Sequence, residues 1–192
     1  MLVIGNGESR KDIDLDKHFD TKIGCNAIHR DYQVDHLICV DRRMVKEAVE
    51  QGANEHALIY TREDWFGNYK QYKRIRTVPV LPYVGSDRWD EPFQWGSGPY
   101  AVLLGAKLSS DVKLLGFDLH SETTKVNNVY KDTSGYDAST KHAVDPRYWI
   151  HQIGKVFELY SKRKFTIYQT NNWKLPKCWN YPNVSLDTLD NL

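Results

Sequence analysis

Cysteine is scarce: Cys25, Cys39 and Cys178 are the only three in 192 residues. They show no metal-ligand spacing and an odd number cannot all pair, which excludes a disulfide scaffold and suits a reducing compartment. Cys25 and Cys39 lie in apolar, strand-like runs and read as buried thiols. No apolar run approaches the length of a bilayer span, so no membrane-spanning segment is expected. The first residues are already strand-like, with no signal-peptide pattern, and the expected location is cytoplasmic. Charge of one sign is missing too. Lys and Arg number 26 against 25 Asp and Glu, a formal net charge of +1, so no global field draws the chain to nucleic acid or an anionic membrane. There is no internal repeat and no low-complexity segment. The length fits a single domain, 1–192, able to bury its own core.

Aromatic residues are plentiful, with 6 Trp, 12 Tyr and 6 Phe. Short apolar runs alternate with helical patterns. Strands are expected at 2–4, 22–25, 35–40, 57–60, 77–80, 112–115 and 164–168. Helices are expected at 43–51, closing at Gly52, and at 96–108 behind Ser97 as a cap. A third runs from Pro146 at its first turn to about Lys162, with Asp145 as N-cap. Residues 64–76 read as a short helix or an insertion. Residues 121–141 are polar and long for a connection, a lid-like insertion, and the tail 170–192 reads as irregular. This alternation predicts an α/β fold: a Rossmann-like, mostly parallel sheet with helices on both faces.

In such sheets ligands bind beyond the carboxyl ends of the strands. The residues to inspect are therefore Asn6, Gly7 and Ser9 after the first strand, Asn26 after the second, and Asp41, Arg42 and Arg43 after the third. After the central strand come Gly116, Phe117, Asp118, Leu119 and His120. The opening Gly5-Asn6-Gly7-Glu8-Ser9 is neither G-x-G-x-x-G nor G-x-x-x-x-G-K-[ST]. Its glycines allow positive φ and close backbone approach, and its free N–H groups suit a phosphate or ribose. It reads equally as an ordinary turn with Ser9 as a cap.

The order of motifs resembles the bacterial sialyltransferases that use CMP-sialic acid. That family carries G-N-G-x-S-x-K-x-I-D, matched by Gly5-Asn6-Gly7-Glu8-Ser9-Arg10-Lys11-Asp12-Ile13-Asp14. It follows with a Cys-Asn pair, here Cys25-Asn26, and a T-S-G turn, here Gly96-Ser97-Gly98. A strand ending G-I-D-F-Y corresponds to Gly116-Phe117-Asp118-Leu119-His120, and a histidine before the last helix to His142. The opening also resembles 6-hydroxymethylpterin diphosphokinase-like proteins, which share an Asp comparable to Asp41.

The resemblance implies a glycosyltransferase that moves a sugar from a CMP-type donor to an acceptor hydroxyl by direct displacement, without a cofactor. Asn6, Gly7, Ser9 and Asn26 would contact the nucleotide, and Ser97 and Gly98 would line the same cleft. His142 would be the general base, and Tyr130 would steady the leaving phosphate. The family's first tyrosine falls on His120, whose imidazole can also donate to phosphate. One alternative is a diphosphokinase-like transfer from ATP, needing Mg²⁺ held by carboxylates such as Asp41 and Asp118. Another is a nucleotide-binding module without chemistry.

The residues also carry plainer readings. His142 reads as an exposed loop histidine, and His151 as a packing or surface residue of its helix. His18, His29, His36 and His56 default to surface or core. Asp118 reads equally as a ligand contact or a structural acceptor. The cluster from Lys70 to Arg76 reads as a solvated face before a nucleic-acid site. Trp89 and Trp95 read as buried before they read as stacking on an acceptor. The acceptor and any homo-oligomer are left open.

Overall fold

The computed structural model describes residues 1–17, 21–82, 95–120 and 124–192. His18, Trp89 and the first residues of the expected lid, 121–123, lie outside them.

Eight parallel strands form one sheet in the order β5-β4-β3-β2-β1-β6-β7-β8. The chain begins at its centre with β1 (Leu2–Ile4). It steps outward through β2 (Lys22–Cys25), β3 (His36–Ile38), β4 (Leu58–Thr61) and β5 (Ile75–Thr77). It then returns to the other side of β1 with β6 (Asp111–Leu115), β7 (Lys164–Gln169) and β8 (Val184–Thr188). Val3 therefore lies between Ile23 and Leu114. The strand order reverses at β1 and β6, the place where parallel α/β sheets open a crevice.

Strand alternation sorts the apolar side chains to two faces. Val3, Ile23, Ile38, Leu114 and Ile167 join one core with residues of α3 (Ser97–Leu108) and α4 (Arg147–Leu159). Leu2, Ile4, Leu37, Ile59 and Leu115 join the other with Met44, Val45, Ala48 and Val49 of α1 (Arg42–Glu50). The sheet is thus an α/β, Rossmann-like one with helices on both faces. α3 is apolar nearly all round and buried over most of its length, as a helix lying over the sheet centre must be. α1 keeps Arg42, Arg43 and Lys46 in solvent.

Three local expectations are corrected. The fifth strand lies at Ile75–Thr77 rather than 77–80; Pro79 removes a ladder donor just beyond it. The tail is not irregular throughout, because β8 pairs along β7 from Phe165–Val184 to Gln169–Thr188. Its polar, exposed pattern is what hid an edge strand. α4 starts at Arg147, with Pro146 at the N-cap position; Asp145 still accepts the Arg147 N–H, at 3.0 Å. The short helix expected within 64–76 is α2 (Glu63–Phe66). Among the described residues no helix is long and apolar enough to cross a membrane.

Candidate functional site

A cavity of about 410 Å³ opens beyond the carboxyl ends of β1, β2, β3, β4 and β6. Gly5, Asn6 and Gly7 form part of its wall, with Cys25-Asn26, Asp41, Arg62 and the 116–119 turn. The start of α3, Gly96 to Pro99, forms the opposite side. Trp95, Trp149, Phe117 and Ile153 supply apolar lining, and Asn127 and Asn128 line it too. Four motifs far apart in sequence therefore meet at one place.

Ser97 fastens them. Its Oγ donates to Asn26 Oδ1 at 2.7 Å and accepts the Val40 N–H at 3.2 Å. Gly96, not Ser97, takes the N-cap position of α3, and its N–H donates to Gln152 Oε1 of α4 at 3.3 Å. Ser97 thus ties the helix start to the ends of two strands instead of capping the helix. Asn26 holds a left-handed backbone, φ 51°, which asparagine tolerates better than most residues. The N–H groups of Ser97 and Gly98 have no partner among the described residues, and they carry the positive end of the helix dipole.

The opening loop is built differently from expectation. Its glycines serve close approach, not positive φ, since Gly7 has φ −65° and Gly5 is not among the positive-φ glycines. A Cβ on Gly5 would stand 2.3 Å from the Gly116 carbonyl oxygen, and one on Gly7 2.3 Å from Asp118 Cγ. Most of the loop N–H groups are not free for a phosphate; within Gly5–Arg10 only that of Asn6 has no partner among the described residues. Gly5 N donates to Leu115 O, Gly7 N to Gly116 O and Arg10 N to Gly7 O. Glu8 N donates to Asn127 Oδ1 and Ser9 N to Asp118 Oδ2. The Asn6 side chain is committed as well. Its Nδ2 donates to Cys25 O at 3.2 Å and to the Tyr136 hydroxyl at 3.4 Å, and its Oδ1 accepts from Arg10 at 3.3 Å.

Ser9 does not line the cavity; its hydroxyl donates to Asp118 Oδ1. Gln169 Nε2 donates to the same oxygen at 2.8 Å. Asp118, 6% exposed, is therefore a structural acceptor that locks the loop to the ends of β6 and β7. Asp41 is different. It lines the cavity, is exposed, and its carboxylate makes no cap hydrogen bond. Arg62 beside it gives Nε to Asp64 at 3.0 Å. Cys25 also lines the cavity, but burial pushes its thiol up to about 12, so it is no nucleophile at neutral pH.

The three residues expected to act on the reacting groups stand outside this wall. Tyr130 is buried at 4% exposure, and its hydroxyl accepts from Arg10 Nη2 at 3.0 Å. Burial raises its phenol above the ordinary value. His120 is exposed; its N–H closes a tight turn onto Asp118 O at 2.7 Å, across Leu119 with φ 67°. His142 is exposed and bridges antiparallel to Lys125. None of the three lines the cavity.

The described part of the expected lid, 124–141, is strapped down. Tyr130 joins the sheet core, Val129 N donates to Asn6 O at 2.9 Å, and Lys131 pairs with Glu8. Arg30 reaches over it to Ser134 O at 2.8 Å. Sequence reasoning missed Arg10, Tyr136, Gln152 and Gln169. Each is a polar residue whose role appears only when distant segments meet, and no local spacing signals it. Among the described residues no cluster of three or more His, Cys, Asp and Glu side chains is placed to hold a metal ion. Comparison with known protein families, curated proteins and solved structures finds no match for this chain.

Proposed function

We propose that the chain is a glycosyltransferase that binds a CMP-type sugar nucleotide in this cleft, with the phosphate at the N-terminus of α3. The observation that carries the reading is the meeting of Gly5-Asn6-Gly7, Cys25-Asn26, Gly96-Ser97-Gly98 and Gly116-Phe117-Asp118 around one cavity. The unused N–H groups of Ser97 and Gly98 are the donors for phosphate oxygens. The apolar lining of Trp95 and Trp149 takes the less polar part of the ligand.

Transfer then runs as one displacement. The acceptor oxygen bonds to the anomeric carbon as the bond from that carbon to the phosphate oxygen breaks, and CMP leaves with the electron pair. The N–H groups of α3 meet the charge that grows on the phosphate. The acceptor proton goes to Asp41, the carboxylate that faces the cavity without a cap hydrogen bond. His142 would have to cross to the cavity to take that part. The ATP reading draws less support, because Asp118 already accepts three hydrogen bonds from Ser9 and Gln169.

Thermal shift with CMP, CDP, UDP and ATP, with and without Mg²⁺, tests the reading. CMP should stabilise without metal, by about 2.7 kcal/mol at a hundredfold excess over Kd. Stabilisation by ATP with Mg²⁺ alone would favour the diphosphokinase alternative, and no response to any nucleotide would overturn both. Asp41→Asn should lower CMP release from a CMP-sugar by about 10²–10⁴-fold with CMP binding retained. Unchanged turnover would remove Asp41 from the mechanism.

A further inference from the structure

Arg10 is the most deeply buried charge close to the cleft. It ends a 3-10 turn, Glu8–Arg10, and is 3% exposed. Its Nε donates to Gly5 O at 2.8 Å, and its Nη2 to Asn6 Oδ1 at 3.3 Å and to the Tyr130 hydroxyl at 3.0 Å. The guanidinium carbon stands 5.4 Å from the Tyr130 ring centre. All of these partners are neutral.

No carboxylate pairs with Arg10 within 4.0 Å among the described residues. Asp31 is exposed and near enough to act on the Tyr130 hydroxyl, but it makes no ion pair with Arg10. Asp118, held to Ser9 next door, spends both oxygens on Ser9 and Gln169. Cys25 beside it is held neutral by burial, and Arg30, 5.7 Å from the centre of the same Tyr130 ring, is paired with Glu47. A buried cation without an ion partner is costly, and proteins keep one where a counter-charge is supplied. Gly5 and Asn6, two of its acceptors, are cavity wall. The missing negative charge therefore belongs on the other side of that wall, in the ligand.

We propose that Arg10 is the fixed counter-charge of the cleft, a positioning residue that acts through Gly5 and Asn6 to select a phosphate-bearing ligand over its neutral counterpart. This rests on the nucleotide reading above, and it assigns the charge selectivity of that site to a residue that does not line it. In a low-dielectric wall the field of a guanidinium is little screened. A lysine keeps the charge but not the forked geometry, whereas methionine keeps only the volume.

Isothermal titration of the wild-type chain, Arg10→Met and Arg10→Lys with cytidine, CMP and inorganic pyrophosphate tests this. Wild type should prefer CMP to cytidine by about 10–100-fold. Arg10→Met should bring that ratio to within about threefold of unity while cytidine affinity holds, and Arg10→Lys should restore most of it. If Arg10→Met fails to fold, Arg10→Gln, which keeps hydrogen-bond donors without charge, carries the same expectation. Parallel loss of cytidine and CMP binding would make Arg10 merely structural and overturn the proposal. So would a wild type that binds cytidine and CMP equally. Binding of pyrophosphate but of neither cytidine nor CMP would overturn the nucleotide reading and support the counter-charge. Binding of none of the three would overturn both.

Discussion

Ser97 Oγ lies 2.7 Å from Asn26 Oδ1, a bond between residues 71 positions apart that fixes the start of α3 on the end of β2. Through the Val40 N–H the same hydroxyl reaches β3. Removing it leaves a buried donor, Val40 N–H, and a part-buried acceptor, Asn26 Oδ1, unmatched. Ser97→Ala should cost roughly 1–3 kcal/mol in chemical denaturation. It should also weaken CMP binding, because the unpartnered N–H groups of the cavity-lining Ser97 and Gly98 sit on that helix start. Full stability in Ser97→Ala would mean that the bond does not organise the cleft.

Gly7 faces the Asp118 carboxylate, where a Cβ would stand 2.3 Å from Cγ. Asp118 cannot yield freely, since Ser9 and Gln169 hold it. Gly7→Ala should therefore destabilise by roughly 1–3 kcal/mol through overpacking. Asp118→Ala in the same background should recover part of that loss, a coupling that a double-mutant cycle reads directly.

Arg30 grips Glu47 with two hydrogen bonds, Nε to Oε1 at 2.6 Å and Nη2 to Oε2 at 2.7 Å. The same guanidinium holds Thr133 Oγ1 at 2.9 Å, so the pair also anchors the strapped segment. These bonds keep the Glu47 carboxyl below its ordinary value. A lowered folded-state value means that the pair stabilises fully above the unfolded glutamate pKa, about 4.3, and that the gain is lost as pH falls through the folded value. Glu47→Gln should cost about 1–3 kcal/mol at pH 7. The melting-temperature gap between wild type and Glu47→Gln should narrow from pH 5 towards pH 3. A gap that is constant over that range would contradict the assignment.

Cys178 is exposed, whereas Cys25 and Cys39 are buried. Burial pushes the Cys25 thiol up to about 12 and raises Cys39 well above its ordinary value. A disulfide reagent at pH 8 should therefore titrate one thiol quickly in the native chain and three in denaturant. Rapid reaction of two or three native thiols would show that the cleft end of β2 opens readily.

Much of the frame was legible beforehand. The run at 112–115 carries few polar residues, as a central strand should, and it became part of β6, beside β1 in the middle of the parallel sheet. Tyr100, Leu103, Leu104 and Leu108 fall near helical spacing in 96–108, and that run is α3, buried over most of its length. Gly5, Asn6, Gly7, Asn26, Asp41, Ser97, Gly98 and Asp118 all line the cavity. Most could be named in advance because residues after parallel strands share one edge of the sheet; Ser97 and Gly98, at the start of α3, were pointed to only by the family resemblance.

What those residues do there was not legible. Ser9 and Asp118 look like ligand contacts by position, yet they spend their polar atoms on each other. Tyr130 satisfies its hydroxyl on Arg10, inside the core. Periodicity and turn residues are local quantities, so the sequence by itself determined the strands, the helices and the edge of the sheet where they converge. Whether a given N–H, hydroxyl or carboxylate is free or already bonded depends on partners a hundred residues away. Only the tertiary structure decided that the loop is a locked scaffold, that α3 offers the open donors, and that a buried arginine stands behind the wall.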